Sequence, residues 1–266
     1  MSEDLNQLWA QARLQLEQQG IGGLLARRPQ VAPLSPPRTV GELAQLIDET
    51  LLRPDATFSE VDAFLAQARA FPFRSVCLHG CHVARAVSAM AGTQVLVAAV
   101  VGFPHGAAPS AAKAAEAGLA AEAGARELDM VIPIGTLKSH DLPGLLADIL
   151  AVREAAPSAT LKVILETSLL SPLETAMGAM VAERAGADFV KTSTGFAQGG
   201  ASVESVRILR AMVGPEVGVK ASGGIRSLSE LFAMVAAGAT RIGTSRGHAL
   251  CTEFAATHGG TGAARP

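Results

Sequence analysis

LKVILETSLLSPLETAMGAMVAERAGADFVKTSTG, residues 161–195, holds one complete strand–helix–strand unit. Leu161–Glu166 is a short apolar run rich in strand-forming residues. Pro172–Ala185 follows with helical period, and Gly186 closes it as a left-handed C-terminal cap requires. Asp188–Thr192 then resumes the strand pattern. Strands joined through a helix in this way lie parallel in one sheet.

The same alternation extends in both directions. Further strands are predicted at Leu43–Asp48, Arg74–Leu78, Gln94–Val101, Arg126–Ile132, Val217–Ala221 and Thr240–Gly243. Helical stretches fall between them at Ser59–Ala70, Ser110–Ala123, Leu142–Glu154, Val203–Met212 and Leu228–Ala237, with Gly92, Gly124, Gly214 and Gly238 as closing glycines. Eight strands at intervals of about 22–35 residues predict a single-domain (β/α)8 barrel, because eight such units close a parallel sheet on itself. An open doubly wound sheet is the alternative. It favours a Gly-rich turn after the first strand, and IDETLL (Ile47–Leu52) is not one. Residues 1–25 read as an amphipathic helix with Leu5, Leu8, Trp9 and Ala12 on one stripe, and 27–38 as a Pro-rich linker. The expected organisation is therefore 1–38 as a helical extension and linker, 39–256 as the barrel, and 257–266 as a flexible tail.

Composition narrows the class. Hydrophobic residues make up 49% of the 266, enough for a large core. A net charge of −2 without long basic runs argues against nucleic acid or an anionic membrane as the main partner. Three cysteines do not build a disulfide framework. The first residues lack a signal-peptide pattern, and no run reaches the ~18 apolar residues of a membrane span. A cytoplasmic protein is expected.

Lysine occurs only at 113, 138, 162, 191 and 220, against 22 basic residues in all. Surface charge is thus carried by arginine, and Lys113 and Lys138 are expected to be exposed. The other three lysines lie inside apolar strand segments, which asks for an explanation. Helices cover the outer face of a barrel, so Lys191, Lys220 and Asp129 are expected to point inward. Lys191 and Lys220 fall on consecutive strands, about 4.8 Å apart. Each then disfavours the other's charge, and desolvation acts in the same direction. A lysine lowered to a pKa of ~7 is about half neutral and nucleophilic at pH 7, at a cost near ~4.6 kcal/mol. The alternative is two separate lysines paired with carboxylates such as Asp129 or Glu166.

Two Gly-rich turns follow, ASGGIR (Ala221–Arg226) and GTSR (Gly243–Arg246). The loops after strands 7 and 8 are where barrels commonly hold phosphate. CLHGCH (Cys77–His82) lacks a second Cys/His pair at zinc spacing, so no metal is expected there. Cys77 reads as a small buried residue, His82 as part of the next helix, and Met177, Met180 and Met234 as core.

Taken together, IDETLL (47–52), GFPHG (102–106), ELDMVIPIG (127–135), LKVILET (161–167), VKTSTGF (190–196), KASGGIR (220–226) and RIGTS (241–245) resemble the consecutive motifs of the deoxyribose-phosphate aldolase family. The likeness spans roughly residues 43–250. It implies a class I aldolase on a (β/α)8 barrel, without metal or organic cofactor. Such an enzyme reversibly cleaves 2-deoxyribose 5-phosphate to acetaldehyde and glyceraldehyde 3-phosphate. By resemblance Lys191 is the Schiff-base lysine, Lys220 lowers its pKa, and Asp129 shuttles protons with a water. Asp48 and Lys162 support the site. Gly195, Gly223, Gly224 and Ser245 match the phosphate turns, with Thr192 and Cys77 as further substrate-side candidates. Small-molecule partners are implied, and a homodimer or homotetramer is open.

Three features depart from the family pattern. VCLHG (Val76–Gly80) stands where VCVNP-like sequences are common, so His79 and Gly80 alter a loop at the site mouth. FAQGGAS (196–202) replaces a Thr-containing form. The chain has no tyrosine, so the C-terminal tyrosine that assists some members is missing. These departures motivate two other readings: a related Schiff-base lyase acting on another phosphorylated aldehyde, and a non-catalytic phosphosugar-binding barrel.

Overall fold

The computed structural model describes residues 2–22 and 35–258. Eight parallel strands close into a barrel in chain order: β1 (Ile47–Thr50), β2 (Ser75–Leu78), β3 (Leu96–Val101), β4 (Glu127–Val131), β5 (Thr160–Ile164), β6 (Phe189–Lys191), β7 (Gly218–Ser222) and β8 (Arg241–Thr244). The helices are α1 (Glu3–Gln18), α2 (Val40–Gln45), α3 (Phe58–Ala68), α4 (Val83–Met90), α5 (Ser110–Glu122), α6 (Ile134–Lys138), α7 (Leu142–Ala155), α8 (Pro172–Arg184), α9 (Val203–Met212), α10 (Leu228–Ala237) and α11 (Gly247–His258). The (β/α)8 barrel is thus the fold. Its core lies between the strands and the helical ring, where residues such as Val76, Leu128, Val163, Val190 and Val219 have no exposure. No helix among the described residues is long and apolar enough to cross a membrane.

The first strand differs from its expected position. Leu43–Gln45 is helical, because Thr39 accepts the Glu42 N–H at 3.1 Å and Glu42 accepts the Arg38 N–H at 2.6 Å. This reciprocal cap starts α2, and the strand begins only at Ile47. Gly214 also differs. It has no positive φ, and its N–H instead donates to Glu183 at 2.8 Å. The remaining predicted strands and helices are present with ends shifted by one or two residues.

The N-terminal helix ends at Gln18 rather than running to 25. Trp9, Ala12 and Leu16 bury themselves on the barrel, and Leu5 and Leu8 pack beside them. α1 lies across α8, which explains why Thr175–Ala182 are all buried on a helix that otherwise faces solvent. Each large side chain so covered stabilises by about 1.5–3 kcal/mol. Gln19 fixes the junction, donating to the His140 carbonyl at 3.0 Å and accepting the Leu142 N–H at 3.2 Å. Most of the predicted linker and the predicted tail, at 27–34 and 259–266, lies outside the described residues.

Candidate active site

Alternation along the strands turns Asp48, Asp129, Lys162, Lys191 and Lys220 toward the barrel axis, all of them buried. Strand register brings them side by side, with Asp129 opposite Lys162 and Lys191 opposite Lys220. Asp129 is the hub. Its Oδ1 accepts from Lys162 Nζ at 2.9 Å, and its Oδ2 accepts from both Lys191 and Lys220 at 2.7 Å. Asp48 Oδ2 accepts from Lys220 at 2.5 Å and Lys162 at 3.1 Å, while its Oδ1 accepts from Arg241 at 2.6 Å. Glu127 joins the same network through Lys162 at 2.5 Å and Arg241 at 3.0 Å. Gly243 leaves room for it. A Cβ there would lie 3.0 Å from Lys220 Cε.

Three carboxylates and four cations therefore share one dry interior. With every buried group ionised the set carries one excess positive charge, and with Lys191 neutral it balances; half-exposed Arg74 reaches Glu127 from outside it at 3.8 Å. Lys191 is the cation with a single carboxylate partner, whereas Lys220 has two and Lys162 three. Burial pushes Lys191 below the ordinary lysine range, and the Lys220 ammonium adds to this against the pull of Asp129. Burial acts on Lys220 too, but Asp129 and Asp48 outweigh it and raise its pKa. Lys162 is raised well above its ordinary value, since Asp129, Asp48 and Glu127 outweigh its burial. Asp129 and Asp48 resist burial through their lysines and stay ionised, well below the usual carboxylate range. The lysine pair is thus unequal: adjacency alone predicts that both lose basicity, but the shared carboxylates keep one charged.

A cleft of about 250 Å³ opens at the strand ends. Lys191 lines it together with Gly195, Gly223, Gly224 and Ser245. The three turns that carry these residues are tied together. Ala201 donates its N–H to the Gly223 carbonyl at 3.0 Å, and Thr244 donates its hydroxyl to the Ile225 carbonyl at 2.8 Å. Glycine is required at Gly200, where a Cβ would stand 2.4 Å from the Gly223 carbonyl oxygen. Arg53 and Arg226 also reach the cleft.

Five residues singled out in the sequence do not line the cleft. Thr192 is fully buried, and its hydroxyl donates to the Ser222 carbonyl at 3.1 Å and accepts the Ser222 N–H at 3.0 Å. It straps β6 to β7 and does not line the cleft. Cys77 sits in a small apolar cluster with Leu52, Ala98 and Val100, and burial pushes its thiol up to about 11. Asp48 and Lys162 lie under the cleft with no exposure. Glu166 does not pair with a lysine. In left-handed backbone at φ 59, it accepts the Thr194 N–H at 3.0 Å and also the Thr194 hydroxyl.

Lys113 is a correction: it is buried rather than exposed, and it donates to Asp148 at 2.8 Å and the Val131 carbonyl at 3.0 Å. His79 lines a separate pocket with Gly80 and His82, its Nε2 3.0 Å from the Leu52 carbonyl and its ring edge-on to Phe103, which is in turn edge-on to Phe196. Among the described residues no group of three or more His, Cys, Asp or Glu is arranged to hold a metal ion. Glu127 and Arg241 join the network beyond the residues that the motifs assign. Glu127 lies two residues before Asp129 and so shares its face, and Arg241 pairs in register with Lys220.

A desolvated lysine at the strand ends of a (β/α)8 barrel, beside glycine turns, defines an aldolase-type site. The chain belongs to the family described as DeoC/LacD family aldolase, whose model matches residues 43–253. The deoxyribose-phosphate aldolase of Streptococcus equi subsp. zooepidemicus is 51% identical over 201 residues, 76% of this chain and 91% of that one. The deoxyribose-phosphate aldolase of Brevibacillus brevis is 49% identical over 214 residues, 80% and 97% of the two chains. The tetrameric deoxyribose phosphate aldolase from Aeropyrum pernix is 34% identical, with a TM-score of 0.76 over 82% of this chain and 93% of that one. A Coccidioides immitis crystal structure superposes with a TM-score of 0.82 at 40% identity, covering 92% and 97%.

Proposed function

We propose that this aldolase reversibly cleaves 2-deoxy-D-ribose 5-phosphate to acetaldehyde and D-glyceraldehyde 3-phosphate through a Schiff base on Lys191. One observation carries the reading. Lys191 is the one cation of the buried network with a depressed pKa that also reaches the cleft beside Gly195, Gly223, Gly224 and Ser245.

The neutral amine adds to the aldehyde carbon of the open-chain sugar, and the carbinolamine takes up a proton and loses water to leave a protonated imine. The C2–C3 bond then breaks as the C3 hydroxyl gives up its proton. Its electron pair moves into the iminium, leaving an enamine and glyceraldehyde 3-phosphate. Protonation of the enamine carbon and hydrolysis release acetaldehyde and restore the amine. Lys220, held protonated, keeps Lys191 from regaining its own proton. Asp129 stays a weak base because the Lys162 and Lys220 ammonium groups hold it. A water bound to Asp129 is the natural carrier of the transferred proton. The glycine turns take the phosphate, whose binding fixes the reacting end beside Lys191. Three free cysteines fit a reducing compartment, and we place the enzyme in the cytoplasm.

The reading is tested by borohydride reduction in the presence of acetaldehyde, followed by peptide mapping over the five lysines. An ethyl adduct concentrated on Lys191 and suppressed by deoxyribose 5-phosphate is the expected result. Label on exposed Lys138 with Lys191 unmodified would overturn it.

A further inference from the structure

Glu49 follows Asp48 on β1 but takes the opposite face, toward α11. It is only 4% exposed. Its Oε2 accepts the Gly247 N–H at 2.7 Å, and the His248 N–H bonds it as well. Among the described residues no cation pairs with it. The groups around it supply no charge. Cys251, one turn along α11, is a thiol that burial, with Glu49 beside it, pushes up to about 12. Val76 and Thr244 flank it in register on β2 and β8. The His248 ring turns to Phe71 at 5.2 Å, Arg246 is exposed, and Glu42 on the neighbouring α2 bonds the Arg38 N–H.

A buried carboxylate without a counterion is costly, and burial pushes Glu49 up to about 7 despite the two amides. The catalytic network does not touch it. What it touches is the first turn of α11, one residue beyond two that line the cleft. Thr244 and Ser245 are those residues, and the Thr244 hydroxyl accepts the Arg246 N–H at 3.1 Å while donating to Ile225. The Gly247 contact is closely fitted: a Cβ there would stand 2.2 Å from Glu49 Oε2. Holding Gly247 therefore fixes the 244–247 turn at its far end, and through Ile225 it steadies the glycine turn after β7.

We propose that Glu49 is a positioning residue for the anionic end of the substrate, holding the first turn of α11 so that Ser245 stands at the phosphate wall of the cleft. The inference rests on the phosphosugar reading above for its substrate but not for its binding test. Calorimetry of the full chain with inorganic phosphate gives the direct readout. In Glu49→Leu, phosphate should bind about five- to tenfold more weakly, as loss of a buried hydrogen bond predicts. KM for deoxyribose 5-phosphate should rise in step while kcat, and turnover of unphosphorylated deoxyribose, stay within about twofold. Gly247→Ala, which crowds the same contact from the other side, should behave alike, and it keeps the test open should Glu49→Leu fold poorly. Glu49→Gln keeps an acceptor oxygen and should recover most of the affinity. Unchanged phosphate binding in both Glu49→Leu and Gly247→Ala overturns the proposal, as does absent phosphate binding by the wild-type chain. Equal losses on the phosphorylated and unphosphorylated sugars, or no recovery in Glu49→Gln, also overturn it. If phosphate affinity follows Glu49 while no sugar is ever cleaved, the positioning role stands and the aldolase reading falls.

Discussion

Asp48 and Glu49 are neighbours on one strand, both buried, and chemically almost the same. Inside the barrel Asp48 meets Lys162, Lys220 and Arg241, which hold it ionised against its burial. Outside, Glu49 meets only backbone N–H groups, and burial dominates. Cations, not burial alone, decide which carboxylate keeps its charge. Lys191 and Lys220 repeat the contrast with the sign reversed: the amine with two carboxylates stays charged, and the amine with one loses basicity. A barrel interior can thus set a single group off balance while its neighbours stay matched.

The largest effect should come from removing that unbalanced group. Lys191→Met should lower turnover by about 10⁴-fold or more and abolish borohydride trapping, since no other lysine shares its setting. Residual trapping at a second barrel lysine would break the contrast within the pair. Lys220→Leu comes next, with a loss of about 10²–10³-fold and the fold intact by circular dichroism. Without the Lys220 charge, Asp129 holds Lys191 more firmly and its pKa rises. The acid limb of the pH–rate profile should therefore move to higher pH. A profile left in place would show that burial alone activates Lys191.

Much of this contrast is legible in the sequence. Alternation in Phe189–Ser193 and Gly218–Ser222 is enough to point Lys191 and Lys220 inward, and the apolar strand segments announce the barrel. The same alternation reaches Glu127 and Arg241, but spacing within a strand does not reveal which inward charges balance which. That depends on β4 pairing with β5 and on contacts across the barrel, such as Lys162 to Asp48, 114 residues apart. Lys113 was unreadable for a related reason. An Ala-rich helix with one lysine looks solvated, and its partner Asp148 lies on a different helix. Thr192 matched a motif, yet only the β6–β7 pairing shows its hydroxyl committed to Ser222. The Thr39–Glu42 cap is visible in principle, but the apolar run beside it carries the stronger local signal.

The Lys113–Asp148 pair extends the comparison to a balanced site that does not line the cleft. Asp148→Asn strands a buried ammonium and should cost roughly 3 kcal/mol in chemical denaturation, with trapping at Lys191 unchanged. A loss of trapping without a loss of stability would show that the pair serves the site instead.

The smallest predicted effect concerns Glu49, and its sign depends on pH. Below pH 4.5 the carboxyl is protonated in the folded and unfolded chains alike, and Glu49→Gln should change stability little. Between 4.5 and about 7 the folded chain keeps a proton that the unfolded chain has released, so wild-type stability falls as pH rises. Above 7 the full penalty is present in the wild type and absent in the glutamine variant. Glu49→Gln should then be more stable by roughly 2–3 kcal/mol at pH 8, less whatever the stronger bond of a charged acceptor returns. Denaturant titrations at pH 5 and pH 8 read the difference directly. A gap that widens with pH would show that Glu49 carries its charge at a cost to stability, as a buried carboxylate without a counterion should. A gap that stays constant would mean that Glu49 is already matched by its amides, as Asp48 is by its cations, and the two faces of β1 would no longer differ in kind.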